Sequence, residues 1–200
     1  MFKRKRKYPD LYDARPGEAA ALVVGLGNPG RGYSGNRHNA GFMSADALLR
    51  KVDVISEGKW PEGHLFFARS RGTSFLILKP MTFMNDSGRA VSPVAKHYQI
   101  DTGKMIVLHD DIDIPAGAVR SKKGGGTAGH RGLESIVKAL RDRDFYRVRI
   151  GVGRPPEGVD AADYVLSDFA TGEEREAEVT AEQAAQVALD LVDEATGDRG

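Results

Sequence analysis

Two hundred residues, 40% of them hydrophobic, suffice for one domain of ordinary size with its own core. No cysteine is present, which excludes disulfides, thiolate nucleophiles and cysteine-ligated zinc or iron–sulfur centres. The net charge of +1 hides an asymmetry: residues 1–156 carry 27 Lys+Arg against 15 Asp+Glu, and residues 157–200 carry 2 against 13. A cationic body suits a polyanionic partner, and an unevenly charged solvated surface is the alternative.

Residues 1–19 are charged, contain Pro9 and Pro16 and show no sustained apolar period, so they read as a flexible basic extension. The run Lys3-Arg4-Lys5-Arg6-Lys7 is not followed by the hydrophobic core of a secretory signal, and no apolar run approaches a membrane span. A cytoplasmic protein is expected. Residues 21–26, 75–78 and 105–108 are short apolar runs, each closed by a turn or polar cluster, and read as buried strands. Residues 147–152 alternate, with Arg147 and Arg149 on one side and Val148, Ile150 and Val152 on the other. Helical spacing marks residues 40–52, 87–99 and 133–140, with Pro93 inside the second. Thr171-x-x-Glu174 resembles a capping box opening a last helix, whose stripe holds Ala184, Val187, Ala188 and Leu191. Interleaved strands and helices predict an α/β fold: one domain over 20–196, a central mixed sheet with helices on both faces, and a tail at 197–200.

Gly25-Leu26-Gly27-Asn28-Pro29-Gly30 closes the first apolar run, and Arg37-His38-Asn39-Ala40-Gly41 follows closely. Imidazole titrates near neutral pH and can take a proton from water. A carboxamide such as Asn28 cannot be a base, but it can donate and accept hydrogen bonds at once. His38 reads either as a polar residue capping the next helix or as a general base. A base needs an orienting partner, and Asp110, at the end of the third strand, is the leading candidate. Strand carboxyl ends gather along one sheet edge, where Asn28, His38 and Asp110 can converge.

Other motifs compete. Gly25-x-Gly27-x-x-Gly30, with Asp53 further on, fits a dinucleotide fingerprint literally, but the residues after Gly30 read as loop rather than helix. His109-Asp110-Asp111-x-Asp113 invites a magnesium or manganese reading, yet strand neighbours point to opposite faces. Phe83 and Asn85 sit between a strand and a helix; core packing and capping compete with a role in the cleft. Gly124-Gly125-Gly126 lacks the Gly-Lys-Ser/Thr of a phosphate-binding loop and reads as a gate. Lys122, Lys123, Arg131, Lys138, Arg141 and Arg143 surround it and, with Arg147 and Arg149, suggest a phosphate-backbone footprint.

Over about residues 21–195 the set resembles bacterial-type peptidyl-tRNA hydrolases. Its carriers are Val24-Gly25-Leu26-Gly27-Asn28-Pro29-Gly30, Arg37-His38-Asn39-Ala40-Gly41, Lys79-Pro80-Met81-Thr82-Phe83-Met84-Asn85-Asp86-Ser87-Gly88, His109-Asp110-Asp111-Ile112-Asp113, Gly129-His130-Arg131-Gly132-Leu133 and Arg149-Ile150-Gly151-Val152-Gly153-Arg154-Pro155. The resemblance implies hydrolysis of the ester between a peptide's carboxyl end and the terminal ribose of tRNA, with no metal or organic cofactor and a monomeric enzyme. It implies His38 as general base, Asp110 favouring its competent form, and Asn28 helping to tell a blocked amino group from a free one. Tyr33, Phe83 and Asn85 match positions that bind the tRNA end; Lys122 and Arg149 match basic positions for acceptor-stem phosphates. Many members carry asparagine where this chain has Arg131, which can only donate; a contact with RNA phosphate or the substrate carbonyl is expected instead. A non-catalytic RNA-binding protein on the same scaffold and a nucleotide-dependent oxidoreductase are the rival readings.

Overall fold

The computed structural model describes residues 14–197. Four strands, buried along most of their length, form its parallel centre: β1 (Leu22–Gly25), β4 (Thr73–Pro80), β5 (Met105–Asp111) and β7 (Tyr146–Gly151). Burial on both sheet faces makes β1, β4 and β5 largely continuous in hydrophobicity, whereas β7 alternates Arg147 and Arg149 with apolar residues. A hairpin of β2 (Asp53–Trp60) and β3 (Gly63–Ser70) extends one side antiparallel, and β6 (Val119–Lys123) pairs antiparallel with β7 on the other. The seven-stranded order is β2-β3-β4-β1-β5-β7-β6, a mixed sheet.

Helices cover both faces. On one, α2 (Ser87–Tyr98) and α3 (Arg131–Leu140) pack Val91, Val94, Tyr98, Leu133 and Ile136 against Leu22, Val24 and Val107. On the other, α1 (Ala40–Leu49) and α5 (Glu174–Thr196) set Ala45, Leu48, Ala184 and Ala188 against Val23, Ile106 and Val148. A short α4 (Ala161–Val165) lies outside these layers. Alternate residues of β1 serve opposite cores, as a pleated strand requires.

The chain leaves β1 for β4 on one side and then crosses to β5 on the other, so β1 and β5 flank a point where the winding reverses. Crevices open there, at the carboxyl ends of the strands. Helix α1 is held unusually close to this point. A Cβ on Gly41 would lie 2.3 Å from the Leu108 carbonyl oxygen, and one on Gly25 would lie 2.6 Å from the Gly41 carbonyl oxygen. The paired glycines therefore let the backbones meet. Close packing also explains Gly27, where a Cβ would lie 2.5 Å from the Phe42 ring, and only a 3-10 turn at Arg31–Tyr33 follows Gly30.

Several sequence expectations change. Asp53 opens edge strand β2 rather than ending a helix, and the first helix stops at Leu49. Thr171 caps nothing: Glu173 is the N-cap residue of α5, and its carboxylate accepts the Ala170 N–H at 2.8 Å. Of the expected extension, residues 1–13 lie outside the described residues. At 14–19 the chain is anchored at both ends, because Ala14 and Ala19 are buried in the core, and the Gly17 N–H donates to the Tyr98 carbonyl, while residues 15–18 are exposed. The tail expected at 197–200 lies outside the described residues beyond Gly197, which ends α5.

Candidate active site

The tight turn after β1 carries Asn28, and its shape is set by Asn39. The Asn39 side chain accepts the Asn28 N–H at 2.8 Å and donates to the Asn28 carbonyl at 3.0 Å, clamping both backbone groups. The Asn28 Oδ1 accepts the Met84 N–H at 2.8 Å. Because a backbone N–H needs an acceptor, the amide is oriented with its oxygen inward. Among the described residues its N–H2 group has no partner, so Asn28 presents a donor to the cleft. The two-way hydrogen bonding expected of this amide is thus replaced by one-way donation.

His38 lies in a 3-10 turn, Arg37–Asn39, that runs into α1, and it is buried. It makes no cap bond; instead its Nδ1 lies 2.8 Å from Oδ1 of Asp110. Asp110, 3% exposed, is still within β5. The same Oδ1 lies 2.9 Å from Nε2 of His130. Burial works to raise the Asp110 carboxyl, but His130 and then His38 outweigh it and hold the group well below the usual carboxylate range. An ionised carboxylate only accepts, so His38 donates from Nδ1 and its Nε2 is left with a lone pair. That is the tautomer a general base needs.

His109 packs edge-on to His130, with ring centroids 4.9 Å apart, and its Nδ1 donates to the Asp110 backbone carbonyl at 2.7 Å. Burial above all pushes His109 from 6.5 down to about 3. Asp111 accepts from Arg149 Nε at 2.8 Å, whereas Asp110 bonds to the two histidines, so the two carboxylates serve different partners. Asp113 belongs to the following turn, where its N–H donates to Asp111 and its carboxylate pairs with Arg154.

These groups line a cleft of about 550 Å³. Tyr33 and Phe83 meet edge to face on its wall at 6.3 Å, and Phe83, 57% exposed, is no core residue. Asn85 lines the cleft and does not cap α2, whose N-cap residue is Asp86. Arg131 opens α3 at the rim, exposed and without an ion pair among the described residues. Lys122 and Arg149 are not on this lining; they share a face of the β6–β7 pair beside it. Arg147 is spent internally: buried, it donates to the carbonyls of Gly125 at 2.8 Å and Gly126 at 2.5 Å. The glycine loop expected as a gate is thus pinned at its middle.

Sequence reasoning did not single out His130 or the far wall, made by Asp160 and α4, and it read His109 only as part of a possible metal cluster. That wall is tied to the His38 turn by Arg37, which donates to Ser167 Oγ at 2.9 Å, pairs with Glu173 at 2.6 Å and lies over the Tyr164 ring. The only signal for His130 was its place in the Gly129-to-Leu133 motif. Nothing local announced Arg37.

An imidazole aimed by a buried carboxylate, at the winding reversal of an α/β sheet, is an arrangement suited to acid–base chemistry. The family model for peptidyl-tRNA hydrolase matches residues 22–198, and the chain belongs to that family. A peptidyl-tRNA hydrolase of Frankia alni is 51% identical over 164 residues, covering 82% of this chain and 83% of the relative. That of Nocardia farcinica is 48% identical, with 85% and 89% covered. The crystal structure of peptidyl-tRNA hydrolase from Acinetobacter baumannii superposes with a TM-score of 0.79 at 33% identity, covering 92% of this chain and 96% of that one.

The histidine cluster makes stability depend on pH. Unfolded His109 takes up a proton below about 6.5, whereas the folded residue resists until about 3, so the unfolded state binds more protons across that window. Unfolding free energy from urea titrations therefore falls as pH drops from 6.5 towards 3. His109→Asn, which keeps a donor for the Asp110 carbonyl, flattens that slope.

Proposed function

We propose that His38, oriented by Asp110, is the general base with which this enzyme cleaves peptidyl-tRNA. The protein hydrolyses the ester bond between peptide and tRNA, releasing free tRNA and peptide. The observation that carries the site assignment is the 2.8 Å contact between His38 Nδ1 and Asp110, which leaves Nε2 as the proton acceptor in the cleft. A water molecule at Nε2 loses its proton as its oxygen attacks the ester carbonyl. Collapse of the tetrahedral intermediate expels the ribose hydroxyl, and the proton held by His38 returns to that leaving oxygen.

Asn28 supplies the selectivity. Its amide faces the cleft as a donor, so it welcomes a carbonyl oxygen. An α-ammonium opposite it would set donor against donor. An unblocked aminoacyl group therefore loses a contact and gains a repulsion, whereas a blocked one offers a carbonyl. Tyr33 and Phe83 offer aromatic faces on which the bases of the tRNA 3′ end stack, and Asn85 adds a polar contact beside them.

The acceptor stem lies along β6 and β7. Arg120 stands opposite Arg149 in the register, and Lys122 opposite Arg147. Like charges directly across a strand pair destabilise it. Arg147 and Arg149 are compensated by loop carbonyls and Asp111, while Arg120 and Lys122 are exposed and lack an ion pair among the described residues. A phosphate backbone relieves that repulsion. Arg131, at the rim between this face and the cleft, takes a phosphate of the 3′ end. The working form is a monomer acting in the cytoplasm; among the described residues no helix is long and apolar enough to cross a membrane.

His38→Ala lowers kcat for a defined N-blocked aminoacyl-tRNA by about 10²–10⁴-fold, the usual worth of a general base, with little change in tRNA affinity. Turnover within threefold of the parent would remove His38 from the mechanism. Lys122→Ala and Arg131→Asn each reduce the slope of log affinity against log salt by roughly 0.7–0.9, as expected for one lost phosphate contact. An unchanged slope would take that residue off the RNA.

A further inference from the structure

Asp110 serves two imidazoles through one oxygen. Nδ1 of His38 is 2.8 Å from Oδ1 and Nε2 of His130 is 2.9 Å from the same atom, while the two rings lie 5.0 Å apart. His38 is the residue the mechanism uses; His130 is not accounted for by it. The second nitrogen of His130 is also engaged. Nδ1 accepts from the backbone N–H groups of Gly132 at 3.2 Å and Leu133 at 3.4 Å, which makes His130 the N-cap of α3. An acceptor nitrogen carries no proton. The geometry therefore gives His130 an Nε2–H aimed at Asp110. Adding a proton at Nδ1 would set it against two N–H donors and undo the cap. The residue is thus not a spare base, because its lone pair is committed to a helix end.

The consequence falls on His38. A buried carboxylate stabilises an imidazolium strongly when that ring is its sole donor. A second N–H on the same oxygen draws off part of the negative charge and weakens the pull on the first. We propose that His130 is a positioning residue for the hydrolysis: by sharing Oδ1 of Asp110, it keeps His38 in the unprotonated form near neutral pH while fixing the carboxylate's direction. The inference rests on His38 being the base. The other ionisable groups around the cluster are His109 and Asp111 on β5, Asp113 in the turn after it, Tyr33 after β1, Arg131 at the start of α3 and Asp160 before α4. His109 is held neutral by burial, and none of these bonds to Oδ1. Because the cap is the first turn of α3, the arrangement also ties the base's environment to the placement of Arg131.

His130→Asn separates the two jobs of the residue. The Asn oxygen replaces Nδ1 as a cap, but its amide is too short to reach Asp110. The acidic limb of the kcat/KM profile, which reports the free enzyme, moves to higher pH by about one unit, and turnover at pH 6 drops by nearly tenfold. A limb that does not move, whether or not the plateau falls, overturns the proposal and leaves His130 a helix cap.

If the variant does not fold, imidazole ¹⁵N spectra of the unaltered protein decide. The proposal expects His130 with Nε2 protonated and Nδ1 bare at pH 7, and an Nδ1–H tautomer or an imidazolium there overturns it. Failure of the base assignment itself is separable. It shows as retained turnover in His38→Ala, whereas proton uptake by His38 in the His130→Asn protein can be followed by ¹⁵N shifts without any substrate.

Discussion

A carboxylate with almost no access to water has to be surrounded by donors, and Asp110 is the group on which this molecule's chemistry turns. Leaving such a charge unpaired costs several kcal/mol, so the fold cannot hold Asp110 without also holding the rings that face it. Two histidines from separate segments supply the N–H groups, His38 from the turn before α1 and His130 from the loop before α3. Their tautomers follow from that demand. The lone pair of His38 is turned outward and that of His130 is turned into a helix end. Orientation and protonation state are thus set by one buried oxygen.

Placing those rings is the work of close backbone packing. Gly41 and Gly25 allow α1 to sit against the ends of β1 and β5, which brings the preceding turn over Asp110. Asn39 then ties that turn to the Asn28 loop, and Asn28 ties the loop to Met84 beyond β4. Two strand ends and the turn before α1 are joined through two side-chain amides. Arg37 extends the same construction to the far wall through Ser167 and Glu173. The base, the amide donor and the aromatic wall are therefore mounted on rigid parts. Such mounting is the source of preorganised catalysis.

Much of this was legible in the chain. Buried parallel strands declare themselves as short apolar runs, and the four central strands were all expected. His38, Asp110 and Asn28 could be grouped because strand ends share an edge. The hairpin of β2 and β3 was not legible, since β2 is largely exposed and its residues show neither an apolar run nor clean alternation. The His130 contact was hidden by distance along the chain, and histidine is not a usual cap residue. Asn28 was read as two-faced because nothing local reveals that a backbone N–H 56 positions away claims its oxygen. The basic cluster was overcounted for a related reason: Arg147 satisfies the carbonyls of Gly125 and Gly126, and only the folded chain shows it.

The central claim is that the negative charge of Asp110 selects the working tautomer of His38. Asp110→Asn removes the charge and little else, so turnover of N-blocked aminoacyl-tRNA by the folded variant tests it most directly. A fall in kcat of about 10²–10⁴-fold, with the native circular dichroism retained, is the predicted result. Turnover within threefold of the parent would contradict it.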